Sequence, residues 1–177
     1  MPTPAGHALG ALLLTAPIRA RYRLTGLAIT VAIAGAGVAP DLDLLIGRHS
    51  AETHSVGAAA IAGAAAWILL RYRRAQHAPA IAGAIAIAVL SHVFLDWLGS
   101  DTSAPIGIMA LWPFSREYVE ADAHIFMAVS RRYWLDEFWT YNLIVLGREM
   151  LLLGVPALTV EWMIRKRRRA RSSGRER

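Results

Sequence analysis

Residues 91–101, SHVFLDWLGSD, place a histidine and an aspartate at the end of a long apolar run. The eleven residues before them, 80–90, carry no polar side chain. A helix puts positions i and i+4 on one face, so His92 and Asp96 are predicted to point the same way. Both side chains are costly to leave unpaired in apolar surroundings. We therefore expect these two side chains to be held by each other, by water or by a metal ion.

Two other short segments place possible metal ligands beside apolar runs. PDLD lies just after one apolar run and supplies Asp41 and Asp43. Its proline is predicted to end the helix that this run forms. RHSAETHS supplies His49 and His54 just before the next run. Carboxylates and neutral imidazoles are ligands of zinc, manganese and iron, and open catalytic sites combine them. Ionisable residues at this depth are candidates for function.

Each segment also has a structural interpretation. PDLD alone is a helix stop followed by a cap, and Thr53 or Ser55 is a candidate cap for the helix that follows. A lone His–Asp pair is more often a buried hydrogen bond than a metal site. Single histidines such as His124 usually bind nothing. Three such polar segments, all at the ends of apolar helices, together favour a functional site over a purely structural role.

The elements that must position these residues are apolar helices. The strong apolar segments are 24–39, 56–70, 80–98 and 142–164, and a weaker one is 8–18. A typical membrane-spanning helix has about 20 residues. Their glycines and alanines allow helices to approach closely. We predict an all-α helical membrane bundle of about four spanning helices plus a short N-terminal helix. Residues 1–164 form its single domain, and 165–177 form a basic, disordered tail.

The composition supports a membrane protein over the alternative of a soluble helical core. Of 177 residues, 55% are hydrophobic and only 18% charged, with a mean hydropathy of +0.38. Few soluble domains of this size have so little polar surface. The absence of cysteine excludes disulfides and thiolate metal sites.

The charges separate by side if the chain crosses at each strong segment. One side then receives 14 basic residues, eight of them in the tail, and the other receives four basic residues and ten acids. The positive-inside rule puts the basic side in the cytoplasm. We predict a multi-pass inner-membrane protein with its candidate site on the outer, periplasmic face. The net charge of +6 thus indicates topology and gives no reason to expect nucleic acid.

The ordered set APDLD, HSAETHS, SHxxLDWL and WPFS resembles a LexA-binding, inner-membrane-associated family of proposed metal-dependent hydrolases. The resemblance spans residues 7–115, with order and spacing kept. One position departs from the family pattern: Ser50 stands where an arginine follows the first histidine, and the neighbouring Arg48 is a candidate replacement. That family is distantly similar to all-helical zinc-dependent phospholipase C and P1-type nucleases. The resemblance implies phosphoester hydrolysis with a divalent metal, zinc or manganese.

These considerations together assign expected roles. Metals bound by carboxylates and imidazoles lower the pKa of a bound water and hold phosphoryl oxygens. The expected metal ligands are His7, Asp41, Asp43, His54, His92 and Asp96, with Asp41 and Asp43 also catalytic. The expected substrate contacts are Arg48, His49, Trp112 and Phe114. LWPFS is predicted to form a wall or lid, and residues 131–141 an interfacial anchor that admits a lipid head group.

Two other classes of function remain open on the sequence. One is a non-catalytic membrane adaptor with a structural His/Asp cluster, whose basic tail binds anionic lipid or an acidic protein partner. The other is a transporter or proton relay, although its polar residues would lie deeper in the helices. Glu149, beside Arg148 in the last apolar segment, is either a further ligand or the partner of Arg148.

Overall fold

The protein is a bundle of α-helices in the computed structural model, which describes residues 1–173 and side chains as far as Lys166. The described residues form no strand, only two isolated bridges. The helices, in chain order, are α1 (Pro4–Leu14), α2 (Ala16–Tyr22), α3 (Leu27–Val38), a 3-10 helix (Ala39–Ile46), α4 (Val56–Tyr72), α5 (Ala78–Trp97), α6 (Phe138–Glu149), a π-helical turn (Met150–Gly154) and α7 (Val155–Ser173). The all-α prediction is confirmed.

Helices α1 and α2 form the predicted N-terminal helical segment. Thr3 caps α1 by accepting a hydrogen bond from the Gly6 amide, and Pro4 occupies the first helical position, where a missing N–H costs nothing. The junction to α2 is at Thr15, whose hydroxyl bonds back to the Ala11 carbonyl. Pro17 follows directly and cannot continue the hydrogen-bond ladder of α1.

The α-helix of the first strong segment ends at Val38, as the proline predicts, and the chain continues as a 3-10 helix. Pro40 lies in its first turn. Successive residues of a 3-10 helix are about 120° apart, so Asp41 and Asp43 project in different directions. This difference separates their roles in the candidate site.

Helices α4 and α5 pack closely along their length. Ser55 caps α4 by accepting from the Ala58 amide, which confirms one of the two predicted caps. A Cβ at Gly63 would lie 2.8 Å from the Cβ of Ala86, closer than two such atoms approach. The small residues read from the sequence therefore permit the close packing of these helices.

The last apolar segment contains a π-helical turn between α6 and α7. Pro156 lacks the N–H that an α-helix would donate to the carbonyl four residues earlier, and the wider turn lies directly before it. Helix α7 then continues through the start of the basic tail to Ser173. The tail predicted to be disordered from residue 165 is thus helical to that point, because arginine and lysine favour helix and suit its C-terminus. Residues 174–177 lie outside the described part.

Three helical stretches are long and apolar enough to cross a membrane: Leu27–Ile46, Ala78–Trp97 and Phe138–Lys166. Helix α4 is also apolar but has only 17 residues, so three stretches, rather than four, meet the full length. Only 22% of the first and last of these spans is buried inside the protein. Such a large apolar surface is one that lipid covers.

Helix α1 packs against both α3 and α5, which also contact each other. Its Ala11 belongs to a buried core cluster with Ile33, Ala84 and Ala88. A Cβ at Gly37 would lie 3.0 Å from the carbonyl oxygen of His7, so this glycine lets α3 approach α1. The packing fixes the first turn of α1 against the C-terminal end of α3.

The long segment between α5 and α6 has no helix and covers one end of the bundle. Its carbonyls accept hydrogen bonds at the start of α4, from the Val56 amide to Ala110 and from the Gly57 amide to Trp112. It also bonds to the end of α5, where the Ala121 amide donates to the Trp97 carbonyl. The candidate site lies beneath this segment.

Candidate metal centre

Side chains from three helical elements and one turn meet at one end of the bundle. The last two turns of α5 supply His92 and Asp96, and the first turn of α1 supplies His7. The 3-10 helix supplies Asp41, and the turn before α4 supplies His54. Five of the six predicted metal ligands thus place ligand atoms around one point. They form two overlapping groups that share His92, namely His7–His92–Asp96 and Asp41–His54–His92.

Asp96 lies at the centre of this cluster. One of its carboxylate oxygens is 3.3 Å from His7 Nε2. The other is 3.0 Å from His92 Nε2 and 3.5 Å from His54 Nε2. On the opposite side, Asp41 Oδ1 lies 3.7 Å from the Nε2 atoms of both His54 and His92. Three imidazoles therefore direct the same ring nitrogen toward two carboxylates.

Four of the five side chains in the cluster are completely buried, yet most of its facing atoms lack hydrogen bonds. The Nε2 atoms of His7, His54 and His92 and both carboxylate oxygens of Asp96 have no hydrogen-bond partner among the residues that the structure describes. A buried polar atom left unsatisfied costs about 1–3 kcal/mol, and more when charged. Two ligand atoms on one tetrahedral zinc lie about 3.4 Å apart. The separations of 3.0–3.7 Å match that value, so the residues fit a divalent metal.

The far sides of two imidazoles are fixed by oxygen atoms. The Nδ1 atom of His92 lies 2.7 Å from the carbonyl oxygen of Gly37. The Nδ1 atom of His54 lies 3.3 Å from Asp43 Oδ2, which also accepts from the Thr53 hydroxyl at 2.8 Å. Oxygen acceptors at Nδ1 hold the proton there and leave the Nε2 lone pair free for a metal.

The two aspartates of PDLD therefore occupy different places. Asp41 lies among the Nε2 atoms, whereas Asp43 lies behind His54, outside both groups of possible ligands. The 3-10 geometry explains the separation, because residues two apart do not share a face. The sequence pattern treats the two aspartates alike, and the structure places Asp43 where it orients the His54 ring.

The imidazole of His54 has an unusual pKa. Burial by itself lowers this pKa, but the adjacent carboxylates of Asp41 and Asp43 outweigh burial and raise it to about 9. Without metal, His54 is therefore a cation at neutral pH and offsets the carboxylate charge. A divalent ion would take over that role and displace the proton.

The predicted substrate contacts belong to neither group of possible ligands, but His49 lies close to them. The ring of His49 is 6.4 Å from that of His54, and its Nε2 is 3.9 Å from Asp101 Oδ1. Burial, then the charge of Arg131, lowers the pKa of His49.

Of the other three predicted contacts, Arg48 and Phe114 are exposed and Trp112 is half-buried. Arg48 forms an ion pair of 2.6 Å with Glu52. Trp112 packs on the start of α4, where a Cβ at Gly57 would lie 2.6 Å from its ring, so WPFS forms part of a wall there. Phe114 is 89% exposed. Their role in substrate binding stays a prediction.

The structure resolves the two alternatives for Glu149. Its buried carboxylate accepts hydrogen bonds from the Thr3 amide at 2.7 Å and from the Thr3 hydroxyl, so it is neither among the possible ligands nor ion-paired to Arg148. It therefore anchors the start of α1, the helix that carries His7. Thr3 gave no signal in the sequence beyond that of a helix cap. His124 lies apart, 3.4 Å from Glu120.

Comparison with known proteins adds one finding. The family model described as YdjM inner membrane protein matches residues 1–168. Neither the curated proteins nor the solved structures compared with the chain give a match. The description confirms the predicted inner membrane, while the sidedness and the hydrolytic activity stay predictions. Since the match covers nearly all of the 177 residues, the chain belongs to the YdjM inner membrane protein family.

Proposed function

We propose that this protein is a membrane-bound, metal-dependent hydrolase that acts on a phosphoester at the outer face of the membrane. The observation that supports this most is the convergence of unpaired imidazole nitrogens and carboxylate oxygens in one buried cluster. An adaptor would need only a hydrogen-bonded cluster to hold its helices together. The orphaned atoms favour a metal site over that alternative.

The ligands we propose are His7, His54, His92, Asp96 and Asp41. Zinc or manganese bound there would lower the pKa of a water molecule and stabilise charge on a phosphoryl oxygen. Asp43 keeps the His54 ring in the orientation that directs Nε2 into the cluster.

Asp41 is the member of this set that a substrate can reach. Its side chain is 22% exposed, whereas the side chains of the other four are completely buried. A carboxylate at the open edge of the cluster is placed to take a proton from an attacking water molecule. We therefore assign Asp41 the role of general base as well as ligand.

The surroundings of Asp41 favour a substrate in the membrane. Leu42, Leu44 and Leu45 lie next to it on the 3-10 helix and are all exposed, Leu45 by 81%. The ten acids assigned to this side also disfavour long polyanions such as nucleic acid. A lipid presenting a single phosphate fits both features.

The test is hydrolysis by detergent-purified protein after elemental analysis has established its metal content. The panel contains phospholipids, isoprenoid phosphates and generic phosphodiesters. We expect activity that chelation removes and zinc or manganese restores, and a loss of at least about 100-fold in Asp41→Asn. A metal-loaded protein that is inert toward the whole panel, like its Asp41→Asn variant, would contradict the proposal and favour the adaptor.

A further inference from the structure

A cavity of about 410 Å³ lies beside the candidate metal centre, outside the ligand cluster. We call it the Arg131 pocket. Its lining includes Arg131, Arg132, His49, Leu135, Phe138 and Tyr141. His49 links the two places, because its ring centre is 6.4 Å from that of His54. A molecule in the pocket would thus lie next to the proposed metal ligands.

The two arginines of this pocket are available to an anion. Within the described residues, neither guanidinium forms an ion pair within 4.0 Å. Glu137 and Asp101 also line the pocket, but Asp101 is engaged. Its carboxylate accepts from the amides of residues 103 and 107. Planar guanidinium groups bind phosphate through paired hydrogen bonds.

The segment that carries the arginines is held in place by α6. Asn142 forms two hydrogen bonds of 3.0 Å with the backbone of Ser130, one accepted from its amide and one donated to its carbonyl. The Ser130 hydroxyl in turn accepts from the Arg132 amide at 3.3 Å. The backbone beneath both guanidinium groups is therefore fixed, although the groups themselves reach the surface.

The same segment has the features of a membrane interface. Leu135, Phe138 and Tyr141 give the pocket an apolar wall. Trp134 and Trp139, from the same stretch, are 67% and 73% exposed. Exposed tryptophans are typical of the level of lipid head groups. A ligand with an anionic head and an apolar body would match arginines and wall together.

We propose that the Arg131 pocket binds the phosphate-bearing head group of a membrane lipid and delivers that lipid to the metal centre. This inference rests on the proposed function, since it names the substrate class of the same site. The guanidinium groups bind the anion, the apolar wall takes the first part of the chains, and His49 lies between the anion and the metal ligands.

Binding to metal-free, detergent-purified protein tests the pocket without the metal centre. The probes are dioctanoyl phosphatidic acid, dioctanoylglycerol, which lacks the phosphate, and inorganic phosphate, followed by calorimetry or tryptophan fluorescence. We expect phosphatidic acid to bind best, and Arg131→Gln with Arg132→Gln to weaken it about tenfold or more. Arg116→Gln, an exposed arginine outside the pocket, should leave binding unchanged.

Three results would overturn this inference. They are absence of phosphatidic acid binding, equal binding by the double variant, and inorganic phosphate binding as tightly as the lipid, which would indicate a site for free phosphate. The proposed function can fail separately. Intact binding with no hydrolysis would remove the hydrolase and keep the pocket, whereas hydrolysis unaffected by the double variant would remove the pocket and keep the hydrolase.

Discussion

Asp96 faces three imidazoles from three different parts of the chain. His92 lies one turn before it on α5 and belongs to both groups of possible ligands. These two residues therefore connect the halves of the cluster. Their i, i+4 spacing made them the clearest signal in the sequence.

At the residue scale, we predict that His92→Ala and Asp96→Asn each lower metal affinity by more than about 100-fold, beyond the usual effect of losing an outer hydrogen bond. The protein should stay folded and in the membrane. Elemental analysis after purification measures the metal content, and circular dichroism shows whether the protein is folded. The matched control is His77→Ala, because His77 contacts Tyr22 at the other end of α5. Full metal content in His92→Ala would indicate a structural hydrogen-bond cluster instead.

A second prediction at this scale concerns pH and His54. Its pKa of about 9 in the folded, metal-free protein lies above its usual 6.5. Zinc must displace this proton, so affinity should rise about tenfold per pH unit between pH 7 and 9. The stability that the His54 charge gives the metal-free protein is full below pH 6.5 and lost as pH rises through 9.

Calorimetry in buffers of different ionisation enthalpy measures the protons that zinc releases, and thermal unfolding measures the stability. We expect about one proton per zinc at pH 7 from His54. In His54→Gln, this proton release should disappear and the remaining affinity should be weak. Zinc affinity that does not change with pH in the parent protein would show that His54 is neutral before zinc binds.

At the scale of elements, Glu149 connects α6 to the first turn of α1. A Cβ at Gly6 would lie 2.6 Å from its carboxylate oxygen, so the glycine allows this close docking. The π-helical turn that follows Glu149 is a feature often found at functional sites. His7 reaches the cluster because α1 begins where Glu149 holds it.

We predict that Glu149→Gln weakens zinc affinity about 10–100-fold, the range for residues that orient a ligand. The side-chain amide of the glutamine would place an N–H donor next to the Thr3 amide and hydroxyl, which both donate to Glu149. Glu161→Gln is the matched control, because Glu161 also accepts from another helix, through Arg19 at 2.9 Å. That variant should lower the unfolding temperature without changing zinc affinity. Equal zinc affinities in both variants would show that Glu149 only stabilises the fold.

The sequence predicted the parts of this site that depend on local spacing. The i, i+4 pair and the proline after α3 need only helix geometry. It could not separate Asp41 from Asp43, since that depends on the chain continuing as a 3-10 helix. It predicted residues 131–141 as an anchor that admits a lipid head group, but it could not show that this stretch forms a pocket with Met1, His49 and Asp101, which lie far away in the chain.

At the scale of the whole molecule, the chain runs repeatedly between two ends with different chemistry. The helices α1 and α2 lead from His7 at the candidate metal centre to Tyr22, which contacts His77 at the start of α5. Helix α5 leads back to Asp96. The end with His77 also holds three arginines, at positions 71, 73 and 74. The charge separation expected from the sequence thus corresponds to the two ends of the bundle.

The last prediction concerns which end is outside. The positive-inside rule assigns the arginine-rich end to the cytoplasm, so the metal centre and the long segment above it face the periplasm. The chain has no cysteine, and Ala123 and Gln76 are exposed at opposite ends. In intact cells, an impermeant thiol reagent should label Ala123→Cys, and should label Gln76→Cys only after the membrane is permeabilised. Labelling in the reverse order would place the arginine-rich end outside, and equal labelling of both from outside would contradict a bundle that crosses the membrane.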